Sequence, residues 1–265
     1  MEYLYIYIAV GVLVGFLGGL LGVGGGIVIV PALVFCFAAL NFPPEFSLHI
    51  AIGTSLACIV FGSVSSLREH HAHGAVDWNI VRRLAPGIIA GTFLGSKIAV
   101  YIPTRPLKTF FVCFVLYVAT QTLLNVKPKP TRQLPGTPGM LAAGGGIGLL
   151  SSFVGIGGGA VSVPFLVWCN VKMHNAIGTS AALGFPIAVA GAAGYIMSGL
   201  NKTGLPPYSL GYVYLPALLG IAGMSVLVAP LGARLSHKLP ISMLKKVFGI
   251  FLYVIGIKMA YDLFV

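Results

Sequence analysis

Long apolar runs without a charged side chain divide this sequence and limit what it can fold into. The run 3–21 alone holds 19 residues and no charge, and about 20 apolar residues are enough for a helix to cross the hydrocarbon core of a membrane. Only 8% of all residues are charged and 57% are hydrophobic, whereas a soluble domain carries roughly 25% charged residues. The sequence therefore predicts an all-α membrane protein, in which helices pair their own backbone polar groups.

Ten apolar segments follow one another, five in each half of the chain. A Pro-rich hydrophilic stretch, residues 127–138, separates the halves. We therefore expect an N-terminal transmembrane repeat over 1–126, a cytoplasmic linker over 127–138, and a C-terminal transmembrane repeat over 139–265. The stretch 68–83 is expected to be a polar loop. The predicted segments are residues 3–21, 27–40, 49–66, 84–102, 107–126, 140–154, 160–170, 174–198, 208–235 and 241–265.

The same motifs recur in the same order in both halves. Gly22–Pro31 reads Gly-Val-Gly-Gly-Gly-Ile-Val-Ile-Val-Pro, and Gly155–Pro164 reads Gly-Ile-Gly-Gly-Gly-Ala-Val-Ser-Val-Pro. His49–Ser55 and His174–Ser180 both end in Ala-Ile-Gly-Thr-Ser. Self-similarity of this kind indicates a duplicated architecture. Because five segments is an odd number, the two repeats are predicted to have inverted topologies in the membrane.

The distribution of basic residues supports an orientation for the chain. If the segments alternate across the membrane, 11 of the 16 Lys and Arg residues fall on the side of the 68–83 stretch and five on the other side. Lys and Arg collect on the cytoplasmic side of membrane proteins. We therefore expect the inner (cytoplasmic) membrane, with both termini extracytoplasmic. The net charge of +11 then reflects topology, and no nucleic-acid partner is expected.

Two glycine runs, residues 24–26 and 157–159, each precede a short apolar segment. Residues 160–170 would rise only about 16 Å as a helix, against about 30 Å of hydrocarbon. We therefore expect broken or re-entrant helices that meet near the midplane. Because a residue before proline avoids the α region, the backbone from each run to Pro31 or Pro164 is expected to be extended. Glycine allows a ligand close to the main chain, and N–H groups at a helix start attract anions; the alternative is that the glycines only pack helices.

The Gly-Thr-Ser motifs carry the second set of candidate residues. The hydroxyls of Thr54, Ser55, Thr179 and Ser180 could donate to a substrate oxyanion, or they could bond back to the carbonyl one turn earlier. His49 and His174 begin the same segments. They could couple protons, or they could simply be polar residues at the entrance of a helix.

The residues that are missing narrow the function further. All five acidic residues lie at segment ends or in loops, and the sequence has no Walker A motif and no nucleophile–base set inside a segment. His70, His71 and His73 have no Cys partner nearby, so no metal site is expected. Because the segments hold no nucleophile–base set, no enzymatic activity is expected, and no cofactor is expected either. The membrane potential drives an anion out of a cell with about 2.3 kcal/mol per charge per 100 mV. An anion exporter therefore needs no site for a coupling ion.

The paired G-x-G-G-G-x-x-x-V-P motifs, the paired A-I-G-T-S motifs and the halves predicted to be inverted resemble the TauE/SafE family of sulfite and organosulfur-anion exporters. The resemblance covers nearly the whole chain. It implies a secondary transporter that exports a small sulfur-containing anion, such as sulfite, sulfoacetate or a related sulfonate, by alternating access. An anion channel, or an importer of the same substrates coupled to protons, remains the alternative.

The resemblance also implies where the substrate binds. The unequal flanks of the glycine runs imply a cavity that is not symmetric, in which Ser162 and either Ser151 or Ser152 supply extra hydrogen bonds. The residues implied to bind the substrate are Gly24, Gly25, Gly26, Thr54, Ser55, Gly157, Gly158, Gly159, Thr179 and Ser180.

Overall fold

Helices dominate the structure, a computed structural model that describes residues 4–21, 25–124, 130–236 and 241–264. Five of the helices in these ranges, α3, α4, α5, α6 and α8 below, are long and apolar enough to cross a membrane. The prediction of an all-α membrane protein is confirmed. The helices are α1 (Leu4–Leu21), α2 (Gly26–Ala39), α3 (Pro44–Ala72), α4 (Trp78–Tyr101), α5 (Thr104–Leu123), α6 (Thr137–Val154), α7 (Gly159–Trp168), α8 (Met173–Gly199), α9 (Leu215–Ser236) and α10 (Ile241–Phe264).

The predicted polar loop over residues 68–83 is mostly helical. Helices α3 and α4 extend into it from both sides and leave only residues 73–77 between them. Asp77 caps α4, because its Oδ1 accepts hydrogen bonds from the N–H groups of Asn79 and Ile80 at 3.0 and 3.2 Å. A cap of this kind satisfies the free N–H groups of a helix start. The helix can therefore begin well outside the apolar segment.

The predicted segment 208–235 is wrong at its start, where a short hairpin replaces the helix. Strands β1 (Ser209–Leu210) and β2 (Val213–Tyr214) pair antiparallel before α9 begins. Gly211 turns the chain in the left-handed region, with φ 56°. The N–H of Tyr212 donates to the carbonyl oxygen of Tyr195 in α8 at 3.3 Å. These features hold the hairpin against α8, a long-range contact that no local sequence pattern indicates.

The predicted extended backbone before the two prolines is also wrong. Pro31 and Pro164 both lie inside helices, because α2 begins at Gly26 and α7 at Gly159. A proline in a helix loses one backbone hydrogen bond. An extended chain in apolar surroundings would lose several, at a cost of several kcal/mol for each unsatisfied group. The helix is therefore preferred over the local bias of a β-branched, pre-proline sequence.

Helices α1 and α2 form a hairpin that returns to the end of the bundle at which α1 begins. Tyr7 near the start of α1 and Phe37 near the end of α2 both contact the ring of Tyr214, with centroid distances of 5.8 Å. Helices α6 and α7 form a similar hairpin, because the carbonyl oxygen of Trp168 accepts hydrogen bonds from residues 131 and 132, just before α6. With 14 and 10 residues, α2 and α7 rise only about 21 and 15 Å. Both returning helices are therefore re-entrant in shape.

Corresponding long helices of the two halves pack antiparallel. A Cβ atom on Gly191 of α8 would lie 2.7 Å from Leu56 Cδ1, and one on Gly184 would lie 3.8 Å from Ser63 Cβ. Residue numbers thus rise along α3 as they fall along α8. The pair α5 and α10 has the same relation, with residue 123 beside 249 and residue 116 beside 256. The two hairpins therefore enter the bundle from opposite ends. An inverted topology in the bilayer and the repeat boundaries stay predictions.

Each hairpin packs against a long helix of the other half, α1 on α9 and α6 on α4, and residue numbers rise together along both helices of each pair. Glycines bring the main chains of α4 and α6 together. A Cβ atom on Gly144 of α6 would lie 2.5 Å from the carbonyl oxygen of Leu84, and one on Gly91 of α4 would meet the backbone of Gly145. Small residues permit this approach between membrane helices. By contrast, Gly146 faces open space.

This contact predicts different effects for two neighbouring glycines of α6. We expect Gly144→Ala to lower stability by about 1–3 kcal/mol, because the added methyl group meets main chain that cannot move aside. Gly146→Ala is the matched control and should leave stability unchanged or slightly higher, because alanine favours helix. Thermal unfolding of the purified protein in detergent measures both. Equal melting temperatures for the two variants would contradict this packing.

Candidate functional site

Helices α2 and α7 begin in the same unusual conformation. Gly25 precedes α2 with φ 69° and ψ −18°, and Gly158 precedes α7 with φ 81° and ψ −16°. This left-handed region is accessible mainly to glycine. Both positions are also crowded, since a Cβ atom would meet Val14 Cγ1 at Gly25 and Ile187 Cδ1 at Gly158. Glycine at these two positions is therefore required by the fold itself. The first glycine of the first run, Gly24, lies outside the described residues.

Among the described residues, the two helix starts leave N–H groups without a backbone partner. We call residues 25–27 the α2 tip and residues 158–160 the α7 tip. The carbonyl oxygen of Gly158 accepts hydrogen bonds from Val161 and Ser162 at 2.9 and 2.7 Å, and Gly25 does the same for residues 28 and 29. The N–H groups within the first turn have no acceptor inside the helix. Such a helix start attracts an anion, because its N–H groups and the helix dipole present positive charge there.

The two hairpins meet next to the α2 tip, and Ser55 lies at the contact. Its Oγ lies 2.8 Å from the carbonyl oxygen of Gly155, to which it donates, and 3.5 Å from that of Gly26. A Cβ atom on Gly26 would lie 2.9 Å from the same oxygen of Gly155. Ser55 is fully buried. The serine of the first Gly-Thr-Ser motif therefore joins the ends of both hairpins from its place in α3.

The two threonines of the motifs make equivalent hydrogen bonds across the halves. Thr54 Oγ1 accepts from the N–H of Tyr214, the residue before α9, at 3.0 Å. Thr179 Oγ1 accepts from the N–H of Asp77, the residue before α4, also at 3.0 Å. Both threonines are fully buried. Each threonine thus holds the start of a long helix from the other half, and its role in substrate binding stays a prediction.

Ser180, the counterpart of Ser55, has a different environment. Its Oγ is buried and has no hydrogen-bond partner among the described residues, and the same is true of Ser162 and Ser151. The Oγ of Ser180 lies 4.0 Å from the position of a Cβ atom on Gly159, and no other atom of the described residues outside the local backbone lies as close to that position. Ser152 makes an ordinary bond within its own helix, to the carbonyl oxygen of Leu149 at 2.7 Å.

The two histidines that begin the motifs are not equivalent in the structure. His49 is buried, and its Nε2 lies 3.1 Å from the carbonyl oxygens of both Ala99 and Ile102 at the end of α4. Both neighbours are acceptors, so Nε2 carries the proton. His174 is exposed at the start of α8. His49 therefore fastens α3 to the end of α4, and proton coupling by either histidine is untested.

The structure brings the predicted residues together in part. Glycines 157–159 and Ser180 surround the α7 tip, while Gly25, Gly26 and Ser55 lie at the contact between hairpins. The two threonines face the starts of α4 and α9. Sequence reasoning missed Asp77 and Tyr214 as their partners. A signal for this pair exists, because Asp77 and Tyr214 are separated by the same number of residues as the matched Gly95 and Gly232.

Known proteins resemble this chain over nearly its whole length. A probable membrane transporter protein from Haemophilus influenzae is 40% identical over 97% of this chain and 98% of the relative. Another from Methanocaldococcus jannaschii is 28% identical over 95% of this chain and 93% of the relative. The probable membrane transporter protein YunE from Bacillus subtilis is 24% identical over 97% of both chains. No solved structure matches the chain.

The family model described as sulfite exporter TauE/SafE matches residues 7–259. This match confirms the resemblance indicated by the paired glycine and Ala-Ile-Gly-Thr-Ser motifs. Together with the long apolar helices, it identifies a multi-pass membrane protein. The chain therefore belongs to the sulfite exporter TauE/SafE family of membrane transporters.

Proposed function

We propose that this protein is a secondary transporter that exports a small sulfur-containing anion, such as sulfite, sulfoacetate or a related sulfonate, across the cytoplasmic membrane by alternating access. The main support for the proposal is the pair of helix starts. Each lies deep in the bundle at the inner end of a hairpin, and the two hairpins enter from opposite ends. Backbone N–H groups at such starts stabilise negative charge. In known secondary transporters, substrates bind at broken helices of this kind.

The surroundings of the helix starts fit an anion that travels alone. The buried polar residues of the described part of the chain are serines, threonines and His49, and none of them is Lys, Arg, Asp or Glu. Hydroxyls and main-chain N–H groups can donate to an oxyanion without a bound cation. The membrane potential supplies the driving force for export, about 2.3 kcal/mol per charge per 100 mV. The proposed protein therefore needs neither a coupling ion nor catalysis.

Alternating access in this fold requires two parts that move relative to each other. The antiparallel helices α3 and α8 carry the two Gly-Thr-Ser motifs at the centre of the bundle, and each hairpin packs on a long helix of the opposite half. At the contact between the hairpins, Ser55 of α3 donates a short hydrogen bond to the carbonyl oxygen of Gly155 at 2.8 Å, and Gly155 also packs directly on α2. We propose that the hairpins, with the helices they pack on, rock about α3 and α8 around the bound anion.

Counterflow in proteoliposomes tests this function. Vesicles that contain the purified protein and are preloaded with unlabelled sulfite should accumulate labelled sulfite transiently above its external concentration, because a carrier exchanges one substrate for another. A flux without counterflow that rises linearly with concentration would instead identify an anion channel. Absence of any flux for sulfite, sulfoacetate and methanesulfonate would contradict the proposed function.

A potassium diffusion potential tests the driving force in the same vesicles. An inside-negative potential should accelerate sulfite efflux, and a pH gradient alone should have little effect, because the proposed site holds no titrating carboxylate. Acceleration by a pH gradient but not by the potential would favour the alternative of a proton-coupled importer. Empty vesicles prepared in parallel correct for the passive permeation of sulfurous acid.

Cysteine labelling in intact cells tests the proposed orientation. Tyr208, which is 70% exposed, lies at the end of the bundle where α1 begins, and exposed His73 lies at the opposite end. In a variant without native cysteines, a membrane-impermeant maleimide should label Tyr208→Cys from outside and should label His73→Cys only after lysis. The reverse pattern would show that the basic end of the bundle faces outward.

A further inference from the structure

The two helix tips have the same backbone conformation, but the space around them differs. At the α2 tip, a Cβ atom on Gly26 would lie 2.7 Å from Ile59 Cδ1 and 2.9 Å from the carbonyl oxygen of Gly155. The α2 tip is therefore filled by side-chain and main-chain atoms of the protein itself. A carbonyl oxygen beside it also carries partial negative charge, which repels an anion.

The α7 tip is crowded by Ile187 at Gly158 but has more space at Gly159. At Gly159, which corresponds to Gly26 in the repeat, Ser180 Oγ, at 4.0 Å, is the one atom of the described residues near the position of a Cβ atom. Gly159 does not have positive φ, whereas Gly158 does. The space between Gly159 and the hydroxyl of Ser180 can therefore hold at least a methyl group.

Two hydroxyls face this tip without using their protons. Ser180 is 2% exposed and Ser162 is 0% exposed, and the Oγ of each has no hydrogen-bond partner among the described residues. The Oγ of Ser162 lies 3.2 Å from the position of a Cβ atom on Gly158. A serine in a helix can donate to a carbonyl oxygen one turn earlier, but Ser162 does not. An unsatisfied buried hydroxyl is destabilising, so two of them at one tip point to a ligand that accepts their hydrogen bonds.

The corresponding residues of the first half cannot supply this pair. Ser55, the counterpart of Ser180, donates its only proton to the carbonyl oxygen of Gly155. Ile29, the counterpart of Ser162, is apolar and buried. The repeat therefore retains one glycine-based helix start in each half, but among the described residues only the α7 tip has two buried serine hydroxyls without a partner.

We propose that one oxyanion binds at the α7 tip alone, and that the α2 tip is a closed structural contact. The N–H groups of Gly159 and Ala160 and the hydroxyls of Ser162 and Ser180 donate to its oxygens. This inference rests on the proposed function and assigns the anion to one of the two tips. It also makes Ser162 a binding residue.

The donors at this site are neutral, which selects for low charge on the ligand. The cost of removing an ion from water rises steeply with its charge, and buried charges are tolerated when paired. No positively charged side chain is buried among the described residues. The site therefore prefers an oxyanion head that carries a single charge, such as a sulfonate group, to one that carries two charges, such as sulfate.

Methanesulfonate and sulfate provide the matched probes, because both present oxygens on sulfur but differ in charge. In thermal-shift titrations at constant ionic strength, methanesulfonate should raise the melting temperature of the wild-type protein, and sulfate should raise it less. Ser162→Ala and Ser180→Ala should each weaken methanesulfonate binding roughly 10- to 100-fold, since a hydrogen bond to a charged group is lost. Without ligand, both variants should melt no lower than the wild type, which a merely structural serine would not allow.

Three control variants separate the site from the fold. Ser152→Ala removes a buried hydroxyl that bonds within its own helix, so it should bind methanesulfonate as the wild type does. Ser55→Ala should lower the melting temperature while weakening binding less than Ser180→Ala. Gly159→Ala should fold, since its methyl group has space, and should lose binding because that group occupies the space of the anion.

Several results would overturn the proposal. These are unchanged methanesulfonate binding in Ser162→Ala and Ser180→Ala, an equal loss in Ser55→Ala and Ser180→Ala, or sulfate binding as strong as methanesulfonate binding. Sulfite counterflow by the same variants distinguishes failure of the single-tip site from failure of the proposed function. If the wild type and both serine variants show equal counterflow, the single-tip site is wrong and the proposed function stands. If the wild type shows no transport of any sulfur oxyanion, the proposed function itself fails.

Discussion

Main-chain polar groups in the interior of a membrane protein must find a partner, and this constraint determines the centre of the structure. Helices α2 and α7 start inside the bundle, where each start exposes N–H groups, and the described turn before α7 also exposes carbonyl oxygens. One such oxygen, on Gly155, is satisfied by the hydroxyl of Ser55 at 2.8 Å. An unsatisfied group at this depth would cost several kcal/mol. A buried serine from α3 therefore satisfies the main chain where the two hairpins meet.

Helices α3 and α8, whose serines lie beside the hairpin tips, also connect the two halves. Thr54 and Thr179 accept hydrogen bonds from the residues that precede α9 and α4, and each of these helices carries a hairpin of the other half. The two Gly-Thr-Ser motifs thus combine a threonine that holds a helix start with a serine beside a hairpin tip. In the first half the serine donates to the main chain, and in the second half its hydroxyl has no partner in the part of the chain that the structure describes. Because of this difference, the proposed binding site lies at the α7 tip of the second half only.

The sequence predicts the helical architecture well because apolar length and repeated motifs are local signals. All ten apolar segments correspond to helices, and the short segments after the glycine runs are re-entrant in shape. The extended backbone before Pro31 and Pro164 was predicted from local preferences, which hydrogen bonding in apolar surroundings overrides. The β1–β2 hairpin and the partners of Thr54 and Thr179 depend on contacts between distant residues. The unequal state of Ser55 and Ser180 could not be seen either, because the two motifs are identical in sequence.

The reactivity of a cysteine placed at the α7 tip measures anion binding there most directly. Ser180→Cys, in a background where the four native cysteines are replaced by alanine, is reconstituted and treated with a small methanethiosulfonate reagent. If the anion binds at the α7 tip, methanesulfonate slows modification at the weakened affinity expected of a Ser180 variant, and with the same concentration dependence as its competition with labelled sulfite in transport by that variant. A modification rate that is independent of methanesulfonate, in protein that still transports sulfite, would contradict an anion site at this tip.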